Sequence, residues 1–134
     1  MTALYKGILL DTSVLINLLH RRKEPTRLVR QLSLSGFQLA ISTVNVAEIY
    51  AGMRSGEEQE TEELLSAFPS FPVTEGIAKT AGEIVASRRR IGFTHSLVDM
   101  LIAATAVTHG FALLTDNRKD FEIPGLLLFD DENQ

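Results

Sequence analysis

The stretch KGILLDTSVLINLL, Lys6 to Leu19, decides how the rest of the chain is read. Ile8, Leu9 and Leu10 form a short apolar run suited to a buried strand. Asp11, Thr12 and Ser13 follow, all residue types that favour a helix N-cap, and then comes the helical pattern VLINLLH. A single carboxylate between two apolar runs either starts that helix or is one piece of a site gathered from distant segments.

Outward from this stretch, strands and helices alternate. A second helix is expected from about Pro25, a favoured first-turn residue, to Leu34, with Gly36 breaking it. FQLAIS (Phe37–Ser42) reads as a strand, and TVNVAEIYAGMR as a helix with Val46, Ile49, Tyr50 and Met53 on one stripe. EEQETEELLSAF makes an acidic-faced helix, FPV (Phe71–Val73) a short strand, and TEGIAKTAGEIVASRRR a helix capped by Thr74. Ile91 to Ser96 is a loop, LVDMLIAATAVTHG the most apolar helix, stopped by Gly110, and FALLT a strand. DNRKDF is a turn or short helix and LLLF a last strand. Such alternation implies βαβ units: a parallel sheet covered on both faces, with its site outside the carboxyl ends of the strands where their order reverses.

At 134 residues the chain is the size of one domain, and 45% hydrophobic residues suffice for a core. The absence of cysteine excludes disulfides and thiolate metal sites. No apolar run approaches the roughly 18 residues of a membrane span, and the N-terminus lacks the order of a signal peptide, so a cytoplasmic protein with no membrane contact is expected. The net charge of −4 argues against a general nucleic-acid binder, but the distribution is uneven. Lys6, Arg21, Arg22, Lys23, Arg27 and Arg30 precede all but two of the acids, Arg88-Arg89-Arg90 is a second basic run, and the acids gather in GEEQETEE and the C-terminal DDENQ.

Four acids interrupt apolar settings. Asp11 and Asp116 each directly follow a strand, while Glu48 in VNVAEIYAG and Asp99 in SLVDMLIAATA lie early in apolar helices. Each has an ordinary explanation alone: Asp11 as a cap, Asp99 as a complement to a helix dipole, Asp116 as a turn residue, Glu48 as a solvated position. Buried carboxylates are rare unless paired or bound to metal, so the four together suggest convergence around a cation. An all-oxygen ligand set selects Mg²⁺, or Mn²⁺ in its place, and such sites activate water against phosphate esters.

LLDTSVLINLL, VNVAEIYAG and DMLIAATAVTHGFALLTDNRKDF, in this order and spacing, resemble the motifs of PIN domains, most of all the ribonuclease toxins of VapC-type toxin–antitoxin pairs. The resemblance covers about Ile8 to Phe129. It implies a single PIN domain over residues 1–134, a three-layer α/β/α sandwich with about five parallel strands in the order 3-2-1-4-5. It further implies a Mg²⁺-dependent endoribonuclease. Asp11, Glu48 and Asp99 match the family's acids, with Asp11 and Asp99 as the metal ligands. Thr12 or Ser13, together with Thr115 and Asn117, match polar residues that order the site. The family's fourth acid often stands where this chain has Asn117; Asp116 and Asp120 are the candidates here, and Asp116 is preferred. The loop GFTHSL departs from the family pattern, and its His95 reads as a surface histidine rather than a general acid.

The resemblance also implies an RNA substrate, a homodimer and a cognate antitoxin that brings a basic residue to the acidic site. Arg21, Arg22, Lys23, Arg27 and Arg88, Arg89 and Arg90 are the candidates for RNA contact, with solvated helix ends as the alternative. The helices carrying VAEIYAGM and TEELLSAF are candidates for the dimer face. Two other readings stand beside the nuclease. One is a non-catalytic PIN-like module that binds RNA or protein. The other is an aspartyl-phosphate receiver or phosphatase, disfavoured because Ser13 stands where a phosphatase has its second aspartate.

Overall fold

The structure, a computed structural model, describes residues 4–130. In chain order its elements are β1 (Gly7–Leu10), α1 (Thr12–Leu19), α2 (Lys23–Leu34), β2 (Gln38–Ser42), α3 (Thr43–Ala51), α4 (Glu58–Ser66), β3 (Ser70–Phe71), α5 (Glu75–Arg90), α6 (Leu97–His109), β4 (Phe111–Leu114) and a 3₁₀ turn, Arg118–Phe121. The strands form one parallel sheet in the order β3-β2-β1-β4. The expected α/β/α sandwich is therefore present, with β1 at the point where the order reverses.

Side-chain alternation along the strands divides the core between the two faces. Leu9, Ala40, Phe111 and Leu113 pack with Ile77 and Ala81 of α5 and Met100 and Ala103 of α6. Ile8, Leu10, Ile41 and Leu114 pack on the other face with Val14 and Leu15 of α1, Val29 and Leu32 of α2, Ile49 of α3 and Leu65 of α4. Every residue of β1 and β4 is buried, the mark of a parallel sheet covered on both sides. No helix among the described residues is long and apolar enough to cross a membrane.

The sheet has four strands rather than five. LLLF contributes a single parallel bridge, Leu113 to Leu128, through hydrogen bonds from Leu113 N to Leu127 O and from Phe129 N to Leu113 O, both 2.8 Å. It lies on the outer side of β4, as the order 3-2-1-4-5 requires, but Pro124, just before it, has no N–H to extend the ladder. The third strand is also shorter and earlier than expected, because Pro72 cannot donate; the next amide, Val73 N, turns to Thr43 Oγ1 at 3.1 Å.

Gly7 begins β1 with β2 and β4 on either side. A Cβ there would stand 2.7 Å from the Gln38 carbonyl oxygen and 2.7 Å from the Phe111 ring. The ring can move but the strand carbonyl cannot. Gly7→Ala is expected to cost roughly 1–3 kcal/mol, as overpacking does in a tight core. A thermal midpoint unchanged from wild type would show that the β1–β2 spacing is not so constrained.

Candidate active site

Asp11 occupies the N-cap position of α1 by its backbone (φ −73°, ψ 159°), yet its side chain caps nothing. It is 4% exposed, and its Oδ2 accepts hydrogen bonds from Thr115 Oγ1 at 2.7 Å and Ser13 Oγ at 2.9 Å. Each hydroxyl donates its one proton to the carboxylate, an acceptor only, and accepts a backbone N–H in turn, the two hydroxyl oxygens lying 3.4 Å apart. Thr115 Oγ1 accepts from Asn117 N at 2.9 Å, and Ser13 Oγ from Asp116 N at 3.1 Å. The segment after β4 thus fixes the carboxylate after β1. Asn117 takes part here through its backbone N–H.

Glu48, on α3, is held by a second relay. Its Oε1 accepts from Thr12 Oγ1 at 2.6 Å; Thr12 Oγ1 accepts from Asn45 Nδ2 at 2.9 Å; Asn45 Oδ1 accepts from Ser42 N at 2.7 Å. Asn45 is fully buried and, with Ser42, forms the capping box that starts α3. Sequence reasoning passed over Asn45. The signal available was the spacing S-x-x-N immediately before an apolar helical run.

Asp99 lies in the first turn of α6, where Ser96 Oγ accepts its N–H at 3.2 Å. Burial, and then the charges of Asp11, Asp120 and Glu48, hold its carboxyl up at about 6 rather than near 3.8. The end of β1, α3 and the 3₁₀ turn therefore bring their acids within electrostatic reach of Asp99 on α6. Asp116 points elsewhere: it is exposed and accepts from Asn17 Nδ2, while Asn17 Oδ1 accepts from Arg22 Nη1 at 2.6 Å. It lines a shallow cavity with Val14, Glu24, Pro25, Leu28 and Leu114. Of the two candidates for the fourth corner, both exposed, Asp120 is the one whose charge acts on Asp99.

Among the described residues no three Asp, Glu or His side chains form a group that could hold a metal ion as placed. The donor chemistry nevertheless fits a hard divalent cation. The ligands are all oxygen, one is largely buried, and Asp99 carries a repulsion that positive charge would relieve.

The basic candidates separate into kinds. Arg21, Lys23, Arg27 and Arg30 line a groove of about 600 Å³ with Leu18 and Thr26, Arg27 also pairing with Glu24 at 3.2 Å. Arg22 is tied to Asn17. Arg89 and Arg90 are exposed at the end of α5. Arg88 is partly buried and turned inward, with its Nε donating to His95 Nε2 at 3.2 Å. His95 is thus the acceptor of an internal contact.

The PIN domain family matches residues 8–124 of the chain. Over 115 residues the chain is 35% identical to ribonuclease VapC19 of Mycobacterium tuberculosis, covering 84% of this chain and 90% of that one. Over 129 residues it is 36% identical to ribonuclease VapC1 of Rickettsia felis, covering 90% and 92%. With ribonuclease VapC10 of Mycobacterium tuberculosis the identity is 44% over 79 residues, and the chain spans 59% of that relative's length. Among solved structures, the DNA-bound VapBC of Salmonella typhimurium superposes with a TM-score of 0.81 at 26% identity, over 92% of this chain and 97% of that one. A toxin–antitoxin complex from Klebsiella pneumoniae superposes with a TM-score of 0.70 at 34% identity, over 90% and 96%.

The raised Asp99 has a consequence for stability. Below about pH 4 it is protonated in folded and unfolded chains alike. As pH rises the unfolded chain ionises first and the folded one only near 6, so stability falls across that window and the loss is complete above it. Asp99→Asn is expected to raise the thermal midpoint at pH 8 and by much less at pH 4, without added divalent cation. An equal effect at both values would show that Asp99 is not under this repulsion.

Proposed function

The chain belongs to the PIN domain family, and from that premise we propose that it is a Mg²⁺-dependent endoribonuclease, the toxin of a VapC-type toxin–antitoxin pair acting in the cytoplasm. The observation that carries this is the largely buried Asp11 at the carboxyl end of the two central strands, near an Asp99 whose carboxyl is pushed up by burial and then by Asp11, Asp120 and Glu48. A cluster that costs the apo protein stability is explained by a cationic ligand.

In this reading Asp11 and Asp99 hold the ion. Glu48 and Asp120 complete the acidic wall, Asp120 taking the role first given to Asp116. When bound, Mg²⁺ supplies an acidified water and stabilises charge on the phosphate and leaving oxygen. The chain's own groups do the orienting. Ser13 and Thr115 both take Oδ2 of Asp11 and leave Oδ1 to a ligand. Thr12 takes Oε1 of Glu48 and leaves Oε2 to orient a water. Arg21, Arg22, Arg89 and Arg90 are exposed, and they supply the charge that draws in RNA phosphates.

An antitoxin partner is supported by the toxin–antitoxin complexes among the structural neighbours. A basic side chain from it would neutralise the acids that otherwise take the metal. A homodimer belongs to the same proposal. The apolar side chains exposed around the α5–α6 connection, Ile91, Leu97 and Val98, support a face there better than α3 and α4, which leave Tyr50 as their large exposed side chain. Sedimentation equilibrium of the purified chain should give twice the chain mass, and a monomer at all concentrations would remove this part.

The central test is RNA cleavage with Mg²⁺ and with chelator. Asp11→Asn and Asp99→Asn should each lower cleavage by orders of magnitude with the circular dichroism spectrum unchanged. Replacing Arg21 or Arg89 by Gln should weaken RNA binding and reduce its salt slope by about one per lost phosphate contact. Wild-type cleavage by Asp11→Asn would overturn the nuclease assignment.

A further inference from the structure

Two of the acids come from segments that flank the end of α5. Asp99 opens α6 behind the loop 91–96, and Asp120 sits in a four-residue 3₁₀ turn. One side chain reaches both. The Arg88 guanidinium lies over the Phe93 ring, 4.2 Å from its centroid, and donates from Nε to His95 Nε2 at 3.2 Å. From Nη2 it donates to the Glu122 carbonyl oxygen, also at 3.2 Å. His95 immediately precedes Ser96, the N-cap whose hydroxyl accepts the Asp99 N–H. Glu122 lies two residues after Asp120.

We propose that Arg88 is a positioning residue: it braces the loop that delivers Asp99 against the turn that delivers Asp120, and so sets the spacing of the two acids. This rests on the nuclease reading of the site and replaces the expectation that Arg88 contacts RNA. The chemistry requires arginine. The planar guanidinium spans two acceptors from separate donors while its face stacks on an aromatic ring, which an ammonium cannot do at once. His95 serves as the acceptor, with its Nε2 lone pair directed at the guanidinium. The brace also accounts for Phe93, half-exposed on a loop with its ring covered by the guanidinium.

Three roles for Arg88 make different predictions. A phosphate contact affects RNA affinity and its salt dependence. A purely structural residue affects the thermal midpoint, and its activity loss disappears when the assay is cooled. A positioning residue lowers kcat with KM little changed, and weakens Mn²⁺ binding measured on the protein alone.

The experiment compares wild type, Arg88→Gln and Arg88→Lys for RNA cleavage, for Mn²⁺ affinity by calorimetry, and for amide hydrogen exchange. Arg88→Gln should lower kcat about tenfold, weaken Mn²⁺ several-fold, and speed exchange together in residues 93–100 and 117–123 while β1 and β2 stay protected. Arg88→Lys should not restore these values. If Arg88→Gln fails to fold, the double variant Phe93→Leu, His95→Ala removes the loop side of the brace and should give the same pattern. Wild-type kcat and Mn²⁺ affinity in Arg88→Gln, with a raised KM and a flatter salt response, would make it an RNA contact and overturn the proposal. Loss of activity that is regained on cooling would make it structural and overturn it equally. Should wild type neither cleave RNA nor bind Mn²⁺, the nuclease reading fails. Coupled exchange of the two segments would then uphold the brace, and independent exchange would overturn it.

Discussion

Like charges gathered at one end of a sheet are the constraint around which this molecule is arranged. Burial, and then the charges of Asp11, Asp120 and Glu48, push the Asp99 carboxyl up to about 6, above the usual carboxylate range. A chain does not keep such a group without rigid support. Here the support is the pair β1 and β4, both buried throughout and hydrogen-bonded in register from Gly7 to Leu10. Two helices also present their N-termini to the acids: α1 begins at Thr12, directly after Asp11, and α6 carries Asp99 in its first turn. Their partial positive charge offsets some of the repulsion.

The hydroxyls give the acids direction. Thr12, Ser13 and Thr115 each accept one hydrogen bond from an N–H and donate one to a carboxylate. Asn45 begins one of these relays. Its carbonyl oxygen is bound by the Ser42 amide, which fixes the side-chain amide with its NH₂ toward Thr12. The fold therefore orients Glu48 from the first turn of its own helix, and Asp11 from the strand beside it. A buried relay of this kind is stable only when every member is satisfied, which is why the segment 115–117 and the cap of α3 cannot vary independently of the acids.

Much of this was legible in the sequence because it depends on local pattern. Short apolar runs and helical spacing located the elements, and the rule that open parallel sheets carry sites at strand carboxyl ends singled out Asp11 together with Asp116. Asp99 and Glu48 stood out because an acid in an apolar helix is conspicuous. What escaped depends on direction in space. Asp116 and Asp120 are four residues apart in one polar run, and only the turn between them decides that one bonds Asn17 while the other's charge reaches Asp99. Arg88 is indistinguishable from Arg89 and Arg90 until α5 is seen to end beside Phe93 and Glu122. The fifth strand shrank to one bridge and the third moved back because proline removes donors, an effect that acts on single ladder positions and is weak in any averaged pattern.

The division of charge follows from the same geometry. A polyanion approaching four carboxylates meets repulsion at close range, so positive charge must sit near them without neutralising them. Arg22 illustrates how this is done: it is held by Asn17, whose amide in turn holds Asp116, so the arginine stands at the rim and is separated from the central acids by a neutral side chain. Arg88 is held in a different way, by one hydrogen bond to a histidine, one to a backbone carbonyl and its stacking on Phe93. An arginine free to swing would form an ion pair with Asp99 or Asp120, lowering the carboxyl that burial and repulsion hold up and occupying the space meant for a cation. Neutral acceptors for the nearby arginines are thus as necessary to an empty acidic centre as the acids themselves.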